Sequence, residues 1–437
     1  MRGREIALAV LLIALGVLVT YEKSGRLDGW FQSPDGPWFG RDEYVYEESR
    51  DIDGPPPAEI QVINAHGRIE VTGTAESGPV RVVFRKHVYA RNKTEADRVA
   101  AALRMKAAPS GPRLILETNR SEFERKRFST AFLLAVPAGT AVVLKNSHGL
   151  VRAEAVASAE ISNPNGDVVV RDLAGPLVLS SSYESVDVAG VGGNARIDAP
   201  HSRVVLKKIK GGLIVSHSYD KIDLEEIDGP VSVEGTHSKV TARGLASTAG
   251  ISTTYEAVRV EDAGAVTIRA RHSDIFAKNI GGTLDVTNTY GRIRLENIEG
   301  ELKIDGRNVA VEGRGVRSSD VFVQTTYENV FLAGGLGKIS VALTHGRLRL
   351  EPEAALTGPV DVRGDYADVR LLWPAGFRAP FQARIRDGRM IWNLPDPLDS
   401  EKSNGVTEVR AFSGAAGNPG VTIETAHGDV QVDAAGR

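Results

Sequence analysis

Three histidines recur at a spacing that could support metal chemistry. His201, His237 and His272 are 36 and then 35 residues apart, and imidazoles that meet in space bind transition metals. A metal site needs ligands that converge, usually with a carboxylate, whereas a straight column of side chains does not converge. The aspartates are scattered and lack the repeated Gly-Gly-x-Gly-x-Asp pattern of calcium-binding solenoids. The sequence therefore predicts a structural column of histidines, with no metal and no cofactor.

Two carboxylates recur in register and could support glycoside chemistry. Asp187 and Asp223 each follow a tyrosine by four residues, and a 36-residue coil would place them ~5 Å apart, near the spacing of a retaining glycosidase pair. The next two equivalent positions hold Arg259 and Arg294, which is typical of charges that balance across neighbouring strands. The sequence has no serine nucleophile elbow, phosphate-binding loop or dinucleotide fingerprint. We expect no enzymatic activity, and a polysaccharide-active β-helix enzyme is the alternative.

Basic residues are concentrated in three adjacent segments of the chain. They could hold an acidic glycan or a lipid headgroup, although outward Lys and Arg also discourage strand edges from aggregating. The predicted anion-binding residues are Arg203, Lys207, Lys208, Lys210, Lys221 and Lys239, and a second basic group is Arg292, Arg294, Arg347 and Arg349. The whole chain has a net charge of −3. Because its basic groups also lack interleaved aromatic residues, no nucleic-acid partner is predicted.

A repeat supplies the elements that would position these side chains. From about residue 141, a Tyr, His or Asn recurs every 17 to 19 residues, and the residue three positions later is always aliphatic with mostly polar neighbours. A glycine later in each unit marks a turn before a second short apolar strand. The recurring residues are His148, Asn165, Tyr183, His201, Tyr219, His237, Tyr255, His272, Tyr290, Asn308, Tyr327 and His345.

These units predict an all-β protein, a parallel β-solenoid with ~18-residue repeat units. No unit is apolar enough to fold alone, but stacked units bury their inner faces. An up-and-down barrel or a sandwich is the rival architecture, and neither would require a fixed step. The alternation of Tyr and His favours a 36-residue coil, in which like residues would stack in separate columns. An 18-residue coil, in which Tyr and His alternate up one column, stays open.

An apolar segment near the N-terminus predicts a membrane anchor. Residues 6–21 carry no charge, and Arg2 and Arg4 precede them. As a helix they would rise ~24 Å, slightly less than a ~30 Å hydrocarbon core. The basic side should stay in the cytoplasm, which places the rest of the chain outside it, in the periplasm or at the cell surface. A cleaved secretory signal and a buried core helix are the alternatives.

Composition divides the chain into five segments. They are an anchor at 1–21, a tether at 22–57, an N-terminal β region at 58–140, the solenoid at 141–372, and a C-terminal cap at 373–437 with a final repeat at His427. One flanking helix is predicted near 93–107, because Ala96, Val99, Ala100 and Leu103 share one face. The chain has no cysteine, which excludes disulfides and thiolate chemistry.

The repeat resembles the "Asn-Gly-x-Val-x-Val" β-repeat of the bacterial putative adhesin family. The similar segments are 148–149, 165–170, 290–295 and 427–432, together with an apolar strand that ends in Val136-Pro137. The resemblance covers roughly residues 58–437 and implies an extracytoplasmic, often membrane-anchored β-solenoid without catalytic residues. This sequence differs from the family by its use of Tyr and His where Asn is common.

The predicted function is a membrane-anchored, extracytoplasmic adhesin, surface-binding or scaffold module. Its partners would be the membrane, through the N-terminal helix, and a glycan or another envelope component. Besides the polysaccharide-active enzyme, a further alternative is an envelope accessory protein that acts through a membrane partner. The oligomeric state and the ligand do not follow from the sequence.

Overall fold

The computed structural model describes residues 41–52, 54–75, 78–125, 127–412 and 419–435. The predicted anchor at 1–21 lies outside the described residues, as does the first part of the predicted tether. The last part of that tether, residues 42–52, forms a strand. Within the described ranges, no helix is both long enough and apolar enough to cross a membrane.

The N-terminal part combines strands with one α-helix. Its elements are β1 (Asp42–Ile52), β2 (Glu59–Ile63), β3 (Gly67–Thr74), β4 (Val80–Ala90), α1 (Lys93–Ala102), β5 (Met105–Ser110), β6 (Arg113–Thr118), a 3-10 turn (Arg120–Glu122) and β7 (Phe128–Pro137). Helix α1 begins after Asn92, whose side chain accepts a hydrogen bond from the Glu95 N–H. It ends at Ala102, short of the predicted end at 107, because Leu103 is extended and Met105 begins β5, which pairs with β6.

The central part consists of short strands in two parallel sheets that face each other. Long strands such as β16 pass around a corner from one sheet into the other. The strands are β8 (Ala141–Lys145), β9 (Val151–Glu154), β10 (Ser158–Asn163), β11 (Val168–Leu173), β12 (Leu177–Ser181), β13 (Glu184–Val191), β14 (Ala195–Asp198), β15 (Ser202–Ile209), β16 (Leu213–Ile227), β17 (Val231–Leu245), β18 (Ala249–Thr254), β19 (Val258–Ala263), β20 (Val266–Arg271), β21 (Ile275–Ile280), β22 (Leu284–Ile298), β23 (Leu302–Val316), β24 (Asp320–Thr326), β25 (Val330–Gly334), β26 (Lys338–Pro352) and β27 (Val360–Trp373).

The strand register fixes the coil at 18 residues. Val168 lies beside Val186, and Leu177 lies beside Ala195, each pair in parallel strands of successive coils. The fold is therefore a parallel β-solenoid, of about 13 turns, and not a barrel or a sandwich. The 36-residue coil favoured by the Tyr and His alternation is wrong, because Tyr and His follow one another in successive coils of a single column.

The core is continuous along the solenoid. In one coil the inward residues are Val168, Val170, Leu173, Leu177 and Leu179, all almost completely buried, and the other coils repeat these positions. Burying each such side chain contributes ~1.5–3 kcal/mol. Because each coil covers the open face of the next, stacking rather than the individual unit stabilises the fold.

The C-terminal strands complete the last coils. They are β28 (Phe381–Arg386), β29 (Met390–Asn393), β30 (Asp399–Ser403), β31 (Val406–Ala411), β32 (Val421–Ala426) and β33 (Val430–Ala434). Strands β32 and β33 pair with β27 on one side and with β28 and β29 on the other. The last coil in the sequence is thus the second-to-last coil in space.

At the N-terminal end, too, the order of the coils in space differs from their order in the chain. Strand β2 lies between β6 and β8, and β3 lies between β7 and β9, all in parallel. Antiparallel strands then cover the outer edges, with β5 on β6, β4 on β7, and β31 on β28 at the other end. Solenoid coils therefore continue on both sides of residues 141–372, and the covered edges discourage strand addition.

Candidate functional site

The repeated Tyr, His and Asn residues lie along one edge of the solenoid. At this edge the chain turns from the sheet that contains β10 and β12 into the sheet that contains β11 and β13. From Tyr183 onward each has a left-handed backbone, with φ from 51° at Tyr366 to 67° at Tyr183. That conformation costs a non-glycine residue ~1–2 kcal/mol. We call this column the ladder and each of its residues a rung: Tyr183, His201, Tyr219, His237, Tyr255, His272, Tyr290, Asn308, Tyr327, His345, Tyr366 and His427.

Neighbouring rings of the ladder stack face to face. The ring centroids of Tyr183 and His201 are 5.4 Å apart, those of Tyr219 and His237 are 5.1 Å apart, and the interplanar angles are 12° and 10°. This spacing follows from the ~4.8 Å distance between adjacent strands. The Tyr side chains remain half or more exposed. Since the ring faces are covered by neighbours, the edge presents phenol hydroxyls and imidazole rims to solvent.

Two stacked residues were missed in the sequence. Tyr366 stacks between His345 and His427, and His66 stacks on His148. Tyr366 follows His345 by 21 residues instead of 18, although the aliphatic Val369 three positions later was a usable signal. His66 belongs to a coil that is interrupted in the chain by strand β4 and helix α1.

Buried polar side chains hold the corner beneath the ladder. The Thr253 hydroxyl donates to the Ser238 carbonyl at 2.8 Å, and the Asn288 amide donates to the Ser273 carbonyl at 2.8 Å. Each acceptor is the carbonyl oxygen of the residue that directly follows a ladder histidine. A buried carbonyl without a donor costs ~1–3 kcal/mol. These polar residues therefore explain how a buried corner can tolerate the left-handed turn.

His217 has this role two coils before Thr253, and nothing in the sequence pattern distinguishes it. Its Nε2 lies 2.7 Å from the Ser202 carbonyl oxygen, and its Nδ1 lies 2.8 Å from the Ser238 hydroxyl oxygen. Because a carbonyl can only accept, the proton is on Nε2, and Nδ1 accepts from Ser238. Burial lowers the pKa of His217, so the ring is neutral at pH 7.

The six predicted anion-binding residues divide into two groups. Arg203, Lys221 and Lys239 lie on successive coils in one outward column, two residues after the ladder; Lys221 is directly beside Lys239 in the register. Lys221 pairs with Asp223 at 2.7 Å. Arg203 and Lys239 have no acidic partner among the described residues. We call these three residues the basic column.

The other three cations lie away from the ladder. Lys207 forms an ion pair with Glu225 at 2.6 Å, and the Glu225 carboxylate raises the pKa of Lys207. Its column continues with Arg243, which lies beside Glu225 in the register, so positive and negative charges alternate there. Lys208, near the end of β15, and Lys210, directly after β15, lie at the opposite edge. The predicted cluster is therefore not one surface.

The two carboxylates proposed for glycoside chemistry are separated. In the register, Asp187 lies beside Val205, and Val205 lies beside Asp223. The two Asp residues are thus two coils apart, ~10 Å instead of ~5 Å. Asp187 pairs with Arg171 at 2.5 Å and Asp223 with Lys221 at 2.7 Å. The retaining geometry expected on a 36-residue coil is absent at this pair.

The histidines of the ladder do not converge either. His201 and His237 are separated by the ring of Tyr219, which stacks on both of them. Nδ1 of His237 is buried, which leaves Nε2 at the solvent edge. In the part of the chain that the structure describes, no group of three His, Cys, Asp or Glu residues could hold a metal ion.

The ladder loses a ring at Asn308, which stands between Tyr290 and Tyr327. Asn308 has φ of 54°, as a ladder residue should, but its side chain is too short to replace an imidazole. A cavity of about 490 Å³ opens beside it, lined by Asp274, Tyr290, Gly291, Arg292, Asn308, Ala310 and Glu328. A second cavity of about 420 Å³ shares Arg292 and Ala310 and extends to Phe331 and Arg349. We call the two cavities together the trench.

Asn165 is a second Asn among the repeated residues, and it differs from Asn308. Its φ is not in the left-handed region, and its side-chain amide donates to the Ser147 carbonyl at 3.1 Å. The ring before it, His148, is itself stacked on His66. Asn165 is thus anchored to the backbone of the preceding coil, whereas Asn308 leaves an open place in the ladder.

Comparison with known proteins does not assign this chain to a family. No family model matches the chain, and no curated protein matches it. A solved structure described as a putative cell adhesion protein from Clostridium sporogenes is similar at 6% identity and a TM-score of 0.16, over 90% of this chain and 100% of that chain. At that TM-score the match carries no argument about function, and the resemblance to the adhesin repeat stays a prediction.

Proposed function

We propose that this protein is a non-catalytic, adhesin-like binding rod that holds an acidic polymer, such as an anionic glycan, along its ladder edge. The observation that carries the proposal is the basic column, Arg203, Lys221 and Lys239, which runs directly beside the exposed stacked rings. The column repeats at ~4.8 Å, so it forms a line of positive charge. A line of charge beside a line of polar ring edges favours an elongated ligand over a compact one.

Electrostatics support an anionic ligand. Arg203 and Lys239 are exposed and have no acidic partner in the described ranges. The one ion pair in the column, between Lys221 and Asp223, is partly exposed, and such a pair is worth at most ~1 kcal/mol. An incoming polyanion therefore exchanges it at little cost. Because exposed charges are screened by salt, binding should weaken as ionic strength rises.

A non-catalytic role is supported by the arrangement of the acids. Asp187 and Asp223 are separated by Val205 and each has a cationic partner. Glycoside hydrolysis requires one carboxylic acid and one carboxylate on either side of the scissile bond. Two carboxylates that lie two coils apart and each contact a cation do not form that arrangement.

We also propose that residues 6–21 hold the solenoid on the outer side of a membrane. The support is their uncharged apolar sequence and the two arginines before it. An accessory role, through a membrane partner, would act through this segment instead of the ladder. Protease treatment of intact and lysed cells tests the placement: the solenoid should be digested once the outer permeability barrier is opened, with the inner membrane still sealed.

Co-sedimentation with polysaccharides tests the binding proposal. The full-length chain, in a detergent without a sugar headgroup, is mixed with insoluble acidic and neutral polysaccharides, and new reducing ends are measured in parallel. We expect salt-sensitive binding to an acidic polymer without new reducing ends. Replacement of Arg203, Lys221 and Lys239 by Ala should abolish it.

The matched control is the replacement of Lys207, Lys208 and Lys210 by Ala, which removes the same charge from other surfaces. Equal loss of binding in both triple variants would mean that only net charge matters. New reducing ends would contradict the non-catalytic proposal and return attention to Asp187 and Asp223. No binding to any polymer would contradict the proposed function itself.

A further inference from the structure

We propose that the break in the ladder at Asn308 is a saccharide-binding slot that takes one pyranose ring between Tyr290 and Tyr327. The inference rests on the proposed function and deepens it, because it names the class of ligand and the place where one unit is held. It uses a feature that the basic column does not: two aromatic faces that lack a stacking partner on one side.

The walls of the slot are the rings of two tyrosines. Tyr290 stacks on His272 at 5.0 Å, and Tyr327 stacks on His345 at 4.7 Å, so each ring has one face covered and the other turned toward Asn308. The two rings are two coils apart, ~9.6 Å at the strand spacing. In every neighbouring position of this kind an imidazole fills that space. The slot therefore has the width of one inserted ring.

The rim of the slot distinguishes a sugar from an aromatic side chain. Arg292 and the Asn308 amide supply N–H donors, and Asp274 and Glu328 supply acceptors. Asp274 already accepts from the Arg292 backbone N–H at 2.9 Å, which holds its carboxylate at the rim. An aromatic side chain would leave these groups unused. A pyranose offers C–H groups to the two ring faces and hydroxyls, each both donor and acceptor, to the rim.

The trench extends the slot across the solenoid. Ala310 is the small residue in its outward column, between Arg292 and Asn329, and it opens the way from the slot to the second cavity. There the Phe331 ring lies against the guanidinium groups of Arg314 and Arg349, and Arg349 is also paired with Glu351. A ring inserted between the tyrosines lies across the solenoid axis, so the rest of its chain would follow the trench. The slot thus suits the end or a branch of a glycan.

The test measures binding of short soluble oligosaccharides to the full-length chain by calorimetry. The probes are fragments of alginate, polygalacturonate and hyaluronan, which are acidic, and of cellulose and xylan, which are neutral. The decisive variant is Asn308→His, which completes the ladder with the residue found on alternate rungs. We expect at least one fragment to bind the natural chain, and Asn308→His to weaken that binding by about tenfold or more.

The matched control is Asn165→His, which adds the same side chain at an Asn whose backbone is not left-handed and whose amide is bonded to the Ser147 carbonyl. It should leave the affinity unchanged. A second pair separates the slot wall from aromatic rings elsewhere on the surface. Tyr327→Leu should weaken binding, whereas Phe322→Leu, which removes an outward ring beside Lys303 on strand β24, should not. Thermal melting confirms that each variant is folded.

The outcomes separate this proposal from the proposed function. Unchanged oligosaccharide affinity in Asn308→His overturns the slot, as does the absence of binding by every fragment. If Asn308→His keeps polymer co-sedimentation and the basic-column variant loses it, the slot is wrong and the binding rod stands. If a fragment binds through the slot but the basic column holds no polymer, the slot stands and the proposed binding rod is wrong. Binding of tyrosine amide in the slot, with no saccharide bound, would assign it to an aromatic partner and contradict the proposal.

Discussion

The two edges of the solenoid use the same backbone turn but different side chains. At the ladder edge, left-handed residues are mostly Tyr and His. At the opposite edge, which we call the far edge, left-handed residues have φ from 52° to 78° but are small or polar and carry no rings. The far-edge residues with these φ values are Ala155, Asp172, Gly190, Lys208, Glu226, Gly244, Asp262, Asn279, Asn297 and Gly315, and Gly334 continues the column with φ of 148°.

This difference indicates that the turn itself does not require a ring. Gly, Asn and Asp adopt the left-handed conformation with less strain than Tyr, and the far edge uses them. The far edge also gains side-chain bonds: the Asn279 amide donates to Asp262 at 2.7 Å, and the Asn297 amide donates to Asn279 at 3.0 Å. The rings of the ladder are therefore explained by what they stack on and present, and not by the backbone.

The largest expected effect concerns the buried support of the ladder edge. His217→Leu keeps the apolar volume but leaves the Ser202 carbonyl without a donor, which should lower the free energy of unfolding by ~1–3 kcal/mol. His217→Asn should lose less stability, because Asn288, at the equivalent position of another coil, donates to the equivalent carbonyl, that of Ser273. Gln324→Leu, at an exposed position of strand β24, should change stability little. Urea unfolding monitored by circular dichroism measures all three.

Exchanging rings for glycine tests the comparison directly. In the triple variant Tyr219→Gly, His237→Gly and Tyr255→Gly, lost stacking of ~0.5–1.5 kcal/mol per pair is partly offset by relief of ~1–2 kcal/mol of backbone strain per residue. We expect a folded protein with at least tenfold weaker polymer binding. The control replaces Lys208, Glu226 and Asp262 by Gly, and it should bind as before. Equal binding in both variants would remove the distinction between the edges.

Filling the slot should stabilise the protein. Asn308→His adds a ring between Tyr290 and Tyr327, and each new stacked pair is worth ~0.5–1.5 kcal/mol. We expect unfolding at higher urea concentration, by an amount that corresponds to about 1 kcal/mol. Asn165→His should show no such gain. A destabilised Asn308→His variant would mean that the two tyrosines do not enclose a ring-sized space.

The pH dependence of stability also belongs to the ladder edge. His217 has a folded pKa below the usual value of 6.5, because burial disfavours the charged ring; the hydrogen bond to the Ser202 carbonyl and the Asp220 charge oppose that shift, and His201 adds to it. Below pH 6.5 the unfolded chain binds a proton that the folded chain does not, so stability falls as pH falls from about 6.5 toward the folded pKa. This contribution is fully present above pH 6.5. His217→Asn should lack it, as urea titrations at several pH values will show.

The sequence supported the fold well because the repeat is local. The 18-residue step and the aliphatic residue three positions after each Tyr, His or Asn were enough to predict parallel coils. The prediction of a 36-residue coil is wrong because alternation of Tyr and His along the chain does not require separate columns. Only the register, in which Val168 lies beside Val186, shows that unlike rings stack on each other.

The candidate site was harder to predict from the sequence, because it is formed by residues that are distant from one another in the chain. Arg203, Lys221 and Lys239 share a column, but Lys207 differs from Arg203 by only four residues and lies beside Glu225. The sequence prediction grouped the six cations because they are close together in the chain, but the coil places them on different surfaces. The slot at Asn308 is formed by residues from three coils, and the exchange of coil order at the N-terminal end pairs residues that are 82 positions apart, such as Glu59 and Ala141. None of these features has a local signature.

The most direct test of the account is the environment of the individual tyrosines. The full-length chain is labelled with ¹³C-tyrosine, and single Tyr→Phe variants assign the ring signals of Tyr219, Tyr255, Tyr290 and Tyr327. Titration with the tightest-binding oligosaccharide should shift the signals of Tyr290 and Tyr327 and leave those of Tyr219 and Tyr255 in place. Equal shifts along the whole ladder, or shifts that exclude Tyr290 and Tyr327, would contradict the claim that the broken rung is where a sugar is held.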